Sequence, residues 1–479
     1  MKKKVLSVLC ACTMVFGLAA CGSDASTSTP AADADTSAAV EETDAGEEET
    51  DAGSAAGTGS VYLLNFKPET DDAWQALAKV YTEQTGVEVN VLTAADGQYK
   101  TTLQSELAKS EAPTIFTIGS NADCAEYANY IYDLSDSALY EHLTDKSLSL
   151  SYDGKVAAVA NCYESYGIIY NKTILQSYID NYEGAVISSI DEIDNFETLK
   201  AVAEDINANV DAINEACGTE LTEAFASSGL DSGSNWRFSG HLAGIALYYE
   251  FKDAGCDLIA GQGTVTGDYL DNFKAVWDLY VSTSAADPAT LDSGALNAEQ
   301  ELGLGEAVFY QNGDWEFAAL TNPENGYTVT AEDLSMMPIY FGVDDATEGL
   351  AVGTENYWAV NAQASQEDID STLAFLEWVI TSDEGRNAIN KDMGLTAPFD
   401  TFTGDFASQN QFAAKVNDYA AAGKTSVAWS FSATPAVDDW RADFIAALTE
   451  YTERGGSWDD VVTAYVDQWA YYWDLQNAE

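Results

Sequence analysis

The segment Glu306-Ala-Val-Phe-Tyr-Gln-Asn-Gly-Asp-Trp315 sets an acid and an indole directly after an apolar run. Ala307, Val308, Phe309 and Tyr310 read as a buried strand, and Asn312-Gly313 as a tight turn, because glycine tolerates positive φ and asparagine nearly does. Asp314 and Trp315 would then stand at a strand's carboxyl end, the edge at which open α/β sheets bind ligands. Two readings of Trp315 follow: a flat face that stacks on a flat apolar ligand surface, or the core residue of an ordinary strand-turn-helix.

Other polar and aromatic residues fall at comparable places. Asn121 and Asp123 follow the predicted strand 114–118, where helix capping and ligand contact both account for them. Glu69, in the loop Lys67-Pro-Glu-Thr-Asp71, is a similar case. Glu355 and Asn356 lie in a loop before Tyr357-Trp358-Ala359-Val360. Alternation along that strand lets only one of the two aromatics face a site, with Trp358 the candidate. Trp440 and the helically spaced aromatics of the last helices, among them Trp458, Tyr465 and Trp469, read as packing.

The elements that must position these residues alternate. Residues 61–66 form a buried-strand run, Asp71 and Asp72 start a helix with Trp74, Leu77, Ala78 and Tyr81 at helical spacing, and Gly86 ends it. Strand 87–92, helix 99–109 and strand 114–118 follow. Such alternation predicts an α/β fold with a parallel sheet covered on both faces.

Upstream the composition changes. Residues 1–21 combine Lys2, Lys3 and Lys4, a short apolar core and Leu18-Ala19-Ala20-Cys21, the pattern of a secretory signal peptide too short to span a bilayer. Residues 22–59 hold ten acids, no Lys or Arg and no aromatic residue, and read as a disordered tether. With ten of the 79 acids in the tether and three of the 20 bases in the leader, the folded part carries about −52. Such a surface repels nucleic acid and anionic lipid, and leaves neutral or cationic solutes as ligands. Cys124, Cys162, Cys217 and Cys256 remain in the folded part without a Cys-x-x-Cys pair. With two histidines in the chain, no zinc site is expected, and four free thiols are favoured over two disulfides.

Glu-Gln-Thr-Gly-Val-Glu-Val-Asn-Val, Tyr166-Gly-Ile-Ile-Tyr170-Asn171-Lys172, Phe309-Tyr-Gln-Asn-Gly-Asp-Trp-Glu316 and the stretch 365–392 together resemble the bacterial extracellular solute-binding proteins of sugar ABC transporters, the maltodextrin-binding kind. Leu-Ala-Ala-Cys likewise resembles a bacterial lipobox, which implies cleavage before Cys21 and its acylation. The resemblance implies a two-lobed periplasmic-binding-protein-like fold of type II, its ligand cleft lying between lobes joined by hinge crossovers. The first lobe is expected at 60–163 plus 340–393, the second at 164–339 plus 394–479. It further implies that Glu164, at the crossover, binds ligand, as do Asp314 with Trp315, the loop carrying Trp236 and Arg237, and the region of Trp429 and Phe431. For Glu164 the alternative is a hinge ion pair, and for Trp236 packing on its own lobe.

A sugar ring offers an apolar C–H face and a rim of hydroxyls, which aromatic faces and Asp, Glu, Asn and Arg side chains hold. The expected function is therefore capture of a neutral sugar or oligosaccharide by hinge closure, by a lipid-anchored monomer outside the cell that delivers it to permease subunits. No cofactor is implied. A cationic solute, such as a polyamine or a peptide, is the alternative within the same fold. A glycoside hydrolase needs two carboxyls at a fixed separation across one bond. No Gly-x-Ser-x-Gly, His-Glu-x-x-His or phosphate-binding loop is present, and no catalytic residue is expected.

Overall fold

The computed structural model describes residues 59–477, Asp96 excepted. The expected leader with Cys21, and the acidic stretch as far as residue 58, lie outside the described residues. No helix among the described residues is long and apolar enough to cross a membrane.

Eleven strands among the described residues build two sheets. Strands β1 (Val61–Asn65), β2 (Val89–Thr93), β3 (Ile115–Ile118), β4 (Ser149–Tyr152), β5 (Lys155–Ala160) and β10 (Tyr357–Val360) form the first, in the order β2-β1-β3-β10-β5-β4. The second contains β6 (Glu164–Asn171), β7 (Phe309–Gly313), β8 (Leu334–Met337), β9 (Glu348–Gly353) and β11 (Thr425–Ala428). Its order is β11-β9-β6-β7, and β8 also pairs with β6.

The first helix, Asp71–Thr85, buries Trp74, Leu77, Ala78 and Tyr81, the residues whose spacing predicts it, and ends at Gly86 with φ 78°. The expected parallel sheet holds only for β1 with β2 and β3, and for β9 with β11. β10 enters the first sheet late, from β9, and runs antiparallel to both β3 and β5. β6 is antiparallel to all three of its neighbours.

Alternation along β6 sends successive side chains to two cores. Tyr166 and Ile168 join a large cluster with Trp277, Trp429, Trp440 and Trp469, while Ile169 packs with Met336, Leu350 and Phe412. The first sheet is covered likewise, by Trp74, Tyr81 and Phe375 on one face and by Leu103, Phe116 and Tyr127 near the other. Cys124, Cys162, Cys217 and Cys256 are free thiols within these packed layers.

The chain passes between the sheets at residues 161–163 and 354–356, and returns to the second between Phe402 and Phe412. β9 thus belongs to the second sheet although the sequence boundary at 340 assigns it to the first lobe. Leu395 and Phe399 pack in the first core although they lie past 393. Apolar runs of this kind fit either sheet, and only their pairing partners decide.

One glycine shows how closely the second sheet is packed. A Cβ at Gly167 in β6 would lie 2.3 Å from the Met337 carbonyl oxygen, a backbone atom that cannot turn aside. Gly167→Ala is therefore expected to destabilise the fold by about 1–3 kcal/mol, the usual range for overpacking. Chemical denaturation of the purified variant checks this, and an unchanged midpoint would mean β8 does not approach β6 this closely.

Candidate functional site

The site is built around the start of β6. Glu164 is buried, stands 2.7 Å from Lys67 Nζ and accepts a hydrogen bond from Asn356 Nδ2 at 3.0 Å. Lys67 comes from the loop after β1 and also pairs with the exposed Glu69 at 3.3 Å. Asn356 comes from the β9–β10 crossover, so three separate segments converge on one carboxylate. Burial alone would lower the Lys67 pKa, but the neighbouring Glu164 and Glu69 outweigh it and hold the ammonium well above its usual value.

The next residue makes a second brace. Ser165 donates to Asp314 Oδ2 from both its N–H and its hydroxyl, each at 3.0 Å, and the Asp314 N–H donates back to the Ser165 carbonyl at 2.8 Å. Asn410 Nδ2 donates to the Asp314 carbonyl at 2.7 Å. Burial, reinforced by the charge of Glu164, pushes the Asp314 carboxyl up to about 8. Asp314 is therefore mostly protonated at neutral pH, which spares the site a second buried negative charge beside Glu164.

Beyond this brace stands Trp315, half-buried. Gly313 before it does not have positive φ, contrary to the turn expected there. Its glycine is required by a close approach: an added Cβ would lie 2.1 Å from the Trp315 ring. Lys67 Nζ sits 5.7 Å from that ring's centroid, and Trp236 and His241 lie 5.9 and 5.5 Å away. His241 stacks on Tyr166 at 4.0 Å and 8°, with Phe431 and Trp429 behind it at 5.5 and 5.8 Å. Burial, then the charges of Arg441, Arg237 and Lys67, hold the His241 pKa well below normal, so it serves as a neutral aromatic plate.

Trp236 is fixed by donating Nε1–H to the Gly233 carbonyl at 2.8 Å. The Arg237 guanidinium covers its ring at 4.1 Å and lies 3.6 Å from Glu316. Burial raises Glu316 to about 7, with Arg237 opposing. The two halves of the molecule touch around this site: a Cβ at Gly97, after β2, would lie 3.3 Å from the Ser232 carbonyl oxygen.

The remaining candidates are placed differently. Trp358 is 2% exposed and meets Trp74 edge-on at 5.9 Å in the first core, where it also lines a small cavity with Lys67 and Asn356. Alternation turns one of Tyr357 and Trp358 each way, and the bulkier ring fills the core. Asp123 caps the helix Asn121–Glu126, accepting from the Gly119 and Ser120 N–H groups at 2.8 and 2.9 Å in a capping box with Ser120. Asn121 is exposed in that helix's first turn. Glu355 is half-buried, its pKa raised by burial against the opposing charge of Arg441. Trp429 and Phe431 are 1% and 3% exposed and back the aromatic group rather than offering it a free face.

Glu164, Asp314, Trp315, Trp236, Arg237 and Asn356 are thus brought together, joined by Lys67, Tyr166, His241 and Glu316, which the sequence analysis did not single out. Scarcity was the available signal: Lys67 is one of 20 bases in a chain of net charge −59, and His241 one of two histidines.

No curated protein sequence matches the chain. Solved structures share its fold. The SBP RafE in complex with raffinose is 15% identical with a TM-score of 0.64, over 88% of this chain and 99% of that one. Maltose-bound MalE3 of T. maritima is 14% identical at 0.62, over 86% and 100%. The MalE domain of Bdellovibrio bacteriovorus bound to maltotriose is 13% identical at 0.62, over 88% and 100%. These likenesses establish a two-lobed α/β fold. The sequence profile of the bacterial extracellular solute-binding proteins matches residues 76–405, a span that takes in both strand crossovers and Glu164, Trp236, Arg237, Asp314, Trp315 and Asn356, while Lys67 precedes it and Trp429 and Phe431 follow it. The chain belongs to the bacterial extracellular solute-binding proteins.

Proposed function

We propose that this protein captures a neutral sugar or oligosaccharide outside the cell and delivers it to the permease subunits of an ABC importer. The observation that carries the reading is the pairing of Trp315 and Trp236, 5.9 Å apart, with a mixed set of donors and acceptors at Glu164, Asn356, Lys67 and Arg237. Aromatic faces suit the C–H side of a sugar ring, and the polar groups suit its hydroxyls. That three proteins of the same fold were solved with raffinose, maltose and maltotriose supports the same ligand class.

The first lobe carries the six-stranded sheet, the second carries the other, and the crossovers act as the hinge. Ligand contacts from both lobes favour the closed form, so binding drives closure. Acylation at Cys21 anchors a monomer to the membrane through the acidic tether. The protein works by binding alone, a reading that rests on its membership of the solute-binding family.

Two measurements test this. Trp315→Ala is expected to weaken binding by about 1–3 kcal/mol while the melting temperature moves little, since the ring is half-buried. A large stability loss with unchanged affinity would instead make Trp315 a core residue. Binding should also change by less than roughly tenfold between low and physiological salt, because a neutral sugar forms no ion pair to screen. A steep fall with salt would favour the cationic solute.

A further inference from the structure

Where the two strand crossovers meet the loop after β1 lies a small cavity of about 10 Å³. Trp74, Trp358 and Leu395 give it apolar walls, and Lys67, Asn161 and Asn356 give it polar ones. The Asn161 N–H donates to the Asn356 carbonyl at 2.9 Å, so the crossovers at 161–163 and 354–356 already touch through their backbones beside it. The side-chain oxygens of the same two residues, Asn161 Oδ1 and Asn356 Oδ1, are buried and have no hydrogen-bond partner among the described residues. Asn356 is 1% exposed, and its amide is oriented by its other end, where Nδ2 donates to Glu164 Oε2 at 3.0 Å. Turning that amide over would set its oxygen against the carboxylate, so Oδ1 stays where it is.

Leaving a buried acceptor unpaired is costly, and two of them beside one cavity call for a donor that serves both. A water needs about 10–15 Å³ of such space and about two to four polar partners, so this cavity takes one water and nothing larger. Water donates one hydrogen to each amide oxygen and needs a donor in return. Lys67 supplies it: the ammonium has three N–H groups, while the carboxylates beside it, Glu164 at 2.7 Å and Glu69 at 3.3 Å, engage two. The same ammonium repels a metal ion, the other kind of occupant that oxygen ligands suit.

We propose that one buried water occupies this cavity, accepting from Lys67 Nζ and donating to Asn161 Oδ1 and Asn356 Oδ1, and so joins the loop after β1 to both crossovers. The inference stands whichever solute the protein captures. A bridging water is nearly as good enthalpically as a direct hydrogen bond, and it turns as its partners move, which suits crossovers that bend when the lobes close.

The test is a pair of high-resolution crystal structures, of the unmodified unliganded protein and of Asn161→Leu, which keeps the branched side chain and removes its oxygen. The unmodified protein is expected to show one ordered water within about 3.2 Å of Lys67 Nζ, Asn161 Oδ1 and Asn356 Oδ1. The variant is expected to lose it, because one of its partners is gone. No density at that point in the unmodified protein would overturn the proposal, as would a protein donor on either amide oxygen, or a metal ion recognised by oxygen contacts of about 2.0–2.6 Å. The same water retained unmoved in Asn161→Leu would also overturn it, since Asn161 would then not hold it. Should the variant fail to fold, the unmodified structure decides alone.

Discussion

A buried carboxylate is tolerated only where it is paired and hydrogen-bonded, since the desolvation of a charge costs several kcal/mol. Glu164 meets that condition with Lys67 at 2.7 Å and Asn356 at 3.0 Å. Because these partners come from the loop after β1 and from the β9–β10 crossover, satisfying one charge fixes the relation of both sheets at the point where the chain passes between them. Removing Lys67 would leave the charge uncompensated and removing Asn356 would cost it a hydrogen bond, so the geometry of the junction is specified more tightly than apolar packing alone would specify it.

The same strand serves a second purpose one residue further on. Ser165 holds Asp314, and Asp314 immediately precedes Trp315, so the ring's position is tied to β6 through a two-way hydrogen-bonded link. Tyr166 then supports the stacked His241, which lies 5.5 Å from Trp315. Three consecutive residues of β6 thereby set a charge, a brace and an aromatic floor. Preorganisation of this kind lowers the ordering cost that a ligand would otherwise meet on binding.

The electrostatics of the site differ from those of the chain as a whole. Against a net charge of −59, the site collects Lys67, Arg237 and Arg441, while burial pushes Asp314 to about 8 and Glu316 to about 7. The site thus lacks the excess negative charge of the surface, which keeps anionic polymers away.

Much of this was legible in the residues. Periodicity marked the helix Asp71–Thr85 down to its buried positions, and the run ending in Asn312-Gly313 marked β7 and the Asp314-Trp315 pair after it, because a strand's apolar pattern and a helix's spacing are local properties. Strand pairing was not local, which is why the expected boundary at 340 put β9 with the first lobe and why the antiparallel run of β10 was not anticipated. The need for glycine at 313 was visible, but its cause, the Trp315 ring lying across it, exists only once the chain is folded. Trp358 and Asp123 carried the right chemistry for a site and were taken by core packing and by a helix cap. Lys67, Tyr166 and His241 carried no sign of a role in the site, since what makes them part of it is their proximity to residues 74 to 248 positions away, which only tertiary structure supplies.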